Sequence, residues 1–274
     1  MSDKKEQIKG SVKEKISLMK TPLMAILPGQ ISFFVLLSVI PLMSLMFILI
    51  SKLSLNFDIV VNFINTYIPS GIASVLLNIF GQQKVGALDI FFIVMALYLA
   101  SKATHSIIVA STEIYDGEQK NFIRTRVKAI LMLIILIIVV IGVISIITIG
   151  SRLVYYLNDI SGGSHNYINI IYSLLKWPFA FFAIFFLVKI VYTIAPNVSI
   201  PSSSVNKGAL LTTMVWFIST FAFSFYVANF ANLKRFYGTL SNLILLMMWI
   251  YLLCYIFVYG MTINKNKYDE DCKK

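Results

Sequence analysis

Six long apolar runs, separated by shorter polar connections, organise this chain. They cover about 23–50, 85–105, 129–150, 168–195, 208–232 and 240–263. Each reaches or approaches the roughly 20 helical residues needed to cross a hydrocarbon layer about 30 Å thick. The third, "AILMLIILIIVVIGVISIITIG" from Ala129 to Gly150, carries no charge at all, and the second is expected to continue as a helix beyond the membrane. The connection 51–84 is different. "FDIVVNFINTYI" and "IASVLLNIF" are apolar on one face, too short to span, and meet at Pro69-Ser70-Gly71. That pattern predicts an interfacial or re-entrant helical hairpin. "LNDISGGSHNYINI", from Leu157 to Ile170, reads as a turn-rich loop.

The pattern predicts an all-α integral membrane protein with six transmembrane helices. A basic segment (1–22) precedes a single membrane domain (23–264), and a charged tail (265–274) follows. Composition agrees: 58% of residues are hydrophobic and 13% charged, where soluble domains carry about 25% charge. The first run is far longer than a signal-peptide core and lacks a small-x-small cleavage site, so it reads as a retained span.

The net charge of +11 would suggest nucleic acid in a soluble protein, but its distribution gives another cause. Of the 23 basic residues, 15 lie in the N-terminal segment, the 113–128 and 196–207 connections and the tail, and five lie in the alternate connections. Lys and Arg resist translocation, so both termini and the basic connections are expected on the cytoplasmic side of a bacterial plasma membrane. The hairpin then faces outward. Membrane lipids are the expected partners and nucleic acid is not.

Polar residues inside the apolar runs are the chemically informative ones. "PGQISFFVLLSVIPLM", Pro28 to Met43, keeps an amide, two hydroxyls and two prolines. At 100° per residue Gln30, Ser38, Pro41 and Ser44 share one stripe, with Ser32 on the opposite side. Pro41 would leave the Leu37 carbonyl without its helical donor, which lipid cannot replace. Ser38, another helix or water is expected to serve it. The stripe therefore faces protein or a wet cavity, as interhelical glue with a fixed kink or as the lining of a substrate path.

Charges in or near spans add Asp89, Lys102, Lys176 and Lys189. Lys102 can snorkel to headgroups, and Lys176 precedes Trp177-Pro178 in an expected outer anchor. Lys189 lies about 9 Å inside the inner end of its span. Ser101, His105 and Thr112 share a stripe in which His105 could relay a proton or simply be solvated. In span five Thr212, Trp216, Ser219 and Ser224 recur at helical spacings that suit either close packing or a path for a polar headgroup.

Enzyme chemistry finds no support. His105 and His165 are far apart and expected near opposite membrane faces, no metal-ligand spacing occurs, and GxSxG, HExxH and P-loop patterns are missing from the sequence. No catalytic residue, metal or cofactor is therefore expected. The two cysteines, Cys254 in a span and Cys272 in the tail, imply no disulfide.

Several stretches together resemble one family. "FFVLLSVIPLM", "VGALDIFFIVMALYLASKA", "IVYTIAPN", "GALLTTMVWFISTFAFSFYVANFANLKRFYGTL" and "LLMMWIYLLCYIFVYGMTINK" are similar to the YihY/BrkB-type bacterial inner-membrane proteins, historically labelled ribonuclease BN. The family commonly has an acidic residue shortly after the glycine of the last span, where this chain reads Gly260-Met261-Thr262-Ile263-Asn264. The resemblance implies a six-span inner-membrane protein, with some members discussed in connection with lipid or envelope export and the ribonuclease label regarded as a misassignment.

Two functions follow as expectations. One is a transporter or translocator of a lipid or other amphiphile without its own ATP site, its path lined by Gln30, Ser38, Pro41, Asp89, Lys189, Thr212, Trp216 and Ser219. The other is a non-catalytic scaffold that binds envelope proteins through its spans and outer hairpin.

Overall fold

Lipid offers no partner to a backbone N–H or C=O, so an apolar run must close its hydrogen bonds within itself, as a helix does. The computed structural model describes residues 22–52, 61, 62, 64, 65, 72–74, 77, 89–118, 121–160, 166–229 and 237–272. Among these, six long helices form: α1 (Pro22–Lys52), α2 (Asp89–Ile114), α3 (Phe122–Ile160), α4 (Asn166–Ile194), α5 (Asn206–Asn229) and α6 (Ser241–Cys272). A single 3-10 turn, Gly238–Leu240, leads into α6. No described residue is in a strand.

Five of these helices are long and apolar enough to cross a membrane: α1, α3, α4, α5 and α6. The expected second span corresponds to α2, and residues 85–88 of that run lie outside the described residues. Helix α2 packs on α1, α3 and α6, and its inward face carries small polar residues: Ser101, Thr104, Ser106, Ser111 and Thr112 are all buried. Most of their hydroxyls return to backbone. Ser111 and Thr112 donate to the Ile108 carbonyl at 2.9 and 2.7 Å, and Thr104 reaches the Ala129 carbonyl of α3 at 2.9 Å. Hydroxyls tied in this way allow helices to approach closely.

Each helix packs on its neighbours in the chain, and α6 closes the ring on α1. The outward faces of the long helices carry Phe33, Ile138, Phe182, Phe186, Ile218 and Phe225, all well exposed and apolar, as a lipid-facing surface requires.

Helix boundaries depart from the sequence reading where polar residues prolong a helix past its apolar part. Helix α3 runs from Phe122 through the basic "IRTRVK" and on to Ile160, well past 129–150 at both ends. Helix α4 resumes at Asn166, so the turn-rich stretch expected from Leu157 to Ile170 is helical at both ends. Helix α6 continues through most of the charged tail to Cys272. In the 51–84 connection the described residues are all helical, with Ile64, Ile72 and Ala73 buried. The hairpin turn at Pro69-Ser70-Gly71 lies outside the described residues.

At one end of the bundle the turns are bonded together. Helix α2 ends in a Schellman motif: Gly117 N–H donates to the Thr112 carbonyl at 2.9 Å, Asp116 N–H to the Glu113 carbonyl at 3.3 Å, and Asp116 takes the left-handed φ of 50°. Asp tolerates that conformation better than most residues. Its carboxylate pairs with Lys265 of α6 at 2.5 Å, and Lys265 also pairs with Asp269 at 2.8 Å. From α3, Lys128 Nζ donates to the carbonyls of Ala195 (2.9 Å) and Pro196 (2.7 Å) and to Asn197 Oδ1 (3.1 Å), just past the C-terminus of α4. A cation there offsets the negative end of the helix dipole and satisfies carbonyls beyond the helical ladder. Lys128→Met, which keeps the stem but removes the donors, is expected to lower stability by about 1–3 kcal/mol. Denaturant unfolding in detergent checks this, and an unchanged midpoint would contradict the role assigned to Lys128.

Candidate functional site

The most tightly built polar locus lies where α5 crosses α6. The sequence "KGALLT" places Gly208 and Thr212 one turn apart at the start of α5, and "YGMTIN" places Gly260 and Asn264 one turn apart on α6. These four residues face one another. A Cβ on Gly208 would overlap the Gly260 carbonyl oxygen and the Asn264 amide, and a Cβ on Gly260 would overlap Thr212 Oγ1 and the Tyr192 hydroxyl. Two glycines therefore let two backbones touch, the small-residue contact that membrane helices use in place of a hydrophobic driving force.

Hydrogen bonds complete the crossing. Gly208 lies in the first turn of α5, where backbone N–H groups have no intrahelical acceptor. It donates to Asn264 Oδ1 at 2.7 Å, so α6 supplies an N-terminal cap for α5 from another part of the chain. Tyr192, from the last turn of α4, reaches in with its hydroxyl. It donates to the Phe257 carbonyl at 2.7 Å and lies 2.7 Å from Thr212 Oγ1. A phenol has one proton, so with that proton on Phe257 the Thr212 hydroxyl is the donor to Tyr192. One turn further along α5, Trp216 Nε1 donates to the Leu253 carbonyl at 2.9 Å, and its ring stacks on Phe257. Tyr192, Thr212 and Asn264 are fully buried.

The crossing continues toward the bonded turns. Tyr115, at the end of α2, sets its ring edge-on to Tyr268, one turn beyond Asn264. Burial is the main cause that raises its phenol well above the usual tyrosine range, aided by the Asp269 carboxylate and Tyr268. Its hydroxyl and Asn264 Nδ2 are buried without a protein partner among the described residues.

A second feature lies on the other side of α6. Helices α1 and α6 enclose a groove of about 420 Å³ lined by Gly29, Ser32, Phe33, Leu36, Met247, Met248 and Tyr251. Ser32 donates to the Gly29 carbonyl at 2.9 Å, so its hydroxyl is satisfied and the walls are largely apolar.

The sequence-derived path residues divide between these two regions. Thr212 and Trp216 enter the α5–α6 crossing, where both bond to other helices, and Ser219 is half-buried further along α5. Gln30 is half-buried and Ser38 buried on α1. The Ser38 hydroxyl donates to the Val35 carbonyl at 2.7 Å, so of the three partners expected for the Leu37 carbonyl another helix or water is left. A hydroxyl on a helix reaches back three or four residues, which excludes the carbonyl of the residue immediately before it. The described groove is lined by the Ser32 face, opposite the Gln30 stripe. Pro41 and Asp89 belong to α1 and α2, but their side chains lie outside the description. Lys189 is half-buried on α4, which packs on α3 and α5, so it is not on a ring neighbour of α1. The residues that sequence periodicity missed are Gly208, Gly260 and Asn264. Their signal was the spacing of four between a glycine and a polar residue, repeated on both helices. No group of three His, Cys, Asp or Glu able to hold a metal occurs among the described residues.

Residues 22–273 match the family model described as "Virulence factor BrkB". The chain belongs to the BrkB family. It is 29% identical over 240 residues to YfkH of Bacillus subtilis (strain 168), a protein whose name calls it ribonuclease-like, covering 86% of this chain and 87% of that one. It is also 29% identical over 255 residues to a UPF0761 membrane protein of Chlorobium phaeobacteroides (strain BS1), covering 85% of this chain and 54% of the relative. A UPF0761 membrane protein of Idiomarina loihiensis is 27% identical over 126 residues, 44% of each chain. The chain thus spans most of the Bacillus protein and about half of the other two. No solved structure matches it. As a BrkB-family protein it is a membrane protein, and its motifs "IVYTIAPN", "GALLTT" and "VYGMTINK" contribute Tyr192, Gly208, Thr212, Gly260 and Asn264 to a single crossing.

Tyr192→Phe removes both bonds of the phenol and is expected to lower stability by about 1–2 kcal/mol, whereas Tyr251→Phe on the exposed face should change it little. Gly260→Ala is expected to cost more than Tyr192→Phe, because the new methyl displaces two bonded hydroxyls. Unfolding midpoints of the three variants in the same detergent test the order.

Proposed function

We propose that this BrkB-family protein moves an amphiphile, in the first place a phospholipid, between the leaflets of a bacterial plasma membrane without a nucleotide site of its own and without covalent chemistry. In this reading α2 completes a set of six spans, and both termini face the cytoplasm, as the basic connections favour. The observation that carries the proposal is the α1–α6 groove. At 1.5 Å per residue Leu36 lies about 21 Å from Pro22, and Met247 about 9 Å from Ser241 on the antiparallel partner. The groove is then near the middle of a hydrocarbon layer about 30 Å thick. Its apolar walls suit an acyl chain, and two flexible methionines can adapt to chains of different shape.

The division around α6 supports a mechanism. On the α5 side it is tied by Tyr192, Thr212, Trp216 and Asn264, whereas on the α1 side it faces an open, weakly polar seam. Movement of α1 against the α4–α5–α6 unit would widen the seam, with Ser32 and Tyr251, which line the groove, as the polar groups beside a headgroup in transit. A scaffold that binds envelope proteins is the competing function. Its support is that Thr212 and Trp216 are already occupied in packing.

Gly29 supplies the test. A Cβ at Gly29 meets nothing within 4 Å, so a larger side chain enters the groove and not the core. Full-length protein in vesicles is expected to accelerate the loss of inner-leaflet fluorescent phospholipid to an external quencher. Gly29→Leu should cut that rate severalfold while leaving the unfolding midpoint equal or higher, since leucine favours a helix interior over glycine. A rate equal to that of protein-free vesicles would overturn the proposal. Stoichiometric crosslinking to one envelope protein in cells would then favour the scaffold.

A further inference from the structure

A basic cluster lies on a different flank, where α2 packs on α3. Lys102 Nζ is 5.2 Å and Arg126 Cζ 5.1 Å from the centroid of the same Tyr98 ring. Both distances are within the roughly 6 Å over which a cation feels the ring's negative face. His105 borders the cluster, its ring 6.1 Å from that of Phe122. Tyr98 is 49% exposed and Phe122 71%, so the cluster opens outward and not into the bundle.

Among the described residues its charges have no carboxylate partner. The ion pairs among the described residues are those of Lys265, and neither Lys102 nor Arg126 takes part in one. On α2 the acid beyond them, Glu113, is 11 residues from Lys102, roughly 16 Å along the helix. Two like charges held over one ring repel each other unless an anion joins them. The surface beside them is apolar: Val94 and Met95 on α2 and Val127, Ile130 and Ile134 on α3 are exposed. An anionic group at one end of a long apolar strip matches one ligand class in a membrane, a phospholipid with net negative charge.

We propose that Lys102 and Arg126 hold the phosphate of an anionic phospholipid, with Tyr98 beneath it and the acyl chains along the α2–α3 face. Arg offers a planar fork to phosphate oxygens, and Lys a mobile point charge. The bound lipid supplies a charge balance that no described residue gives at this position. The site is separate from the α1–α6 groove and does not depend on lipid crossing the membrane.

Native mass spectrometry of the full-length protein in detergent tests the site. The probes are dioleoyl-phosphatidylglycerol and dioleoyl-phosphatidylcholine, which share acyl chains and differ in charge. The expected result is retention of phosphatidylglycerol roughly tenfold more strongly, with the preference lost in Lys102→Gln/Arg126→Gln. It should persist in Arg124→Gln/Lys207→Gln, which removes the same charge from exposed positions, and in the charge-conserving Lys102→Arg/Arg126→Lys. Millimolar inorganic phosphate should not displace the lipid. Equal retention of the two lipids, a preference unchanged in the double glutamine variant, a preference lost equally in the Arg124/Lys207 control, or full displacement by phosphate would each overturn the assignment. The charge-conserving pair separates loss of the site from loss of the fold.

Discussion

Two helices that touch backbone to backbone impose the constraint on which the rest of this molecule depends. At Gly208 and Gly260 there is no room for a Cβ, and the space a side chain would fill is taken by a carbonyl, an amide and two hydroxyls. Inside a membrane such contacts cannot be exchanged for water, so donors brought there call for acceptors within the protein; Asn264 Nδ2 has none among the described residues, and the others are served. The chain meets this with groups from three helices: Tyr192 from α4, Gly208 and Thr212 from α5, and Asn264 and the Phe257 carbonyl from α6. The α4–α5–α6 unit is fixed by these bonds. Helices α1 to α3 close the ring through apolar and hydroxyl packing, together with Lys128 on the end of α4 and the Asp116–Lys265 pair between the turn after α2 and α6.

This asymmetry gives the functional reading its physical basis. A helix bonded on one side and facing a soft apolar seam on the other can keep its position while its neighbour moves. The bonded turns at the end of the bundle add to the fixed part, with Lys128 holding the C-terminus of α4 and Lys265 joining the turn after α2 to α6. In the proposed mechanism that frame stays in place while the α1–α6 edge yields. The basic cluster at Tyr98 lies away from that edge. An anionic lipid there would secure α2 and α3 at the membrane surface without occupying the groove.

The helices themselves were legible in the sequence, because long uncharged runs have few alternatives to a spanning helix. Their ends were less so. Hydropathy marks where a helix leaves the apolar layer, not where it stops, and α3 and α6 both continue through polar stretches that include Lys, Arg or Glu, which favour helix about as well as leucine does. The α5–α6 crossing was half legible. Thr212 and Trp216 stood out by helical spacing, but periodicity gives a helix its faces without naming what each face meets. The Gln30 stripe lies on α1 and the Thr212 stripe on α5, and both of those helices pack on α6. Asn264 read as a departure from a family pattern. Its role appears only when the unbonded N–H of Gly208, 56 residues earlier, is brought beside it.

The most direct test of the crossing is a double-mutant cycle on unfolding free energy with Gly208→Ala and Asn264→Ala, measured in one detergent. The alanine at 208 collides with the Asn264 amide, and removing that amide also removes the acceptor of the Gly208 N–H. The two losses therefore share one contact, and the double variant should be more stable than the sum of the singles implies, by about 1 kcal/mol or more. Additive losses would mean that the two residues do not meet, and would contradict the crossing on which this account rests.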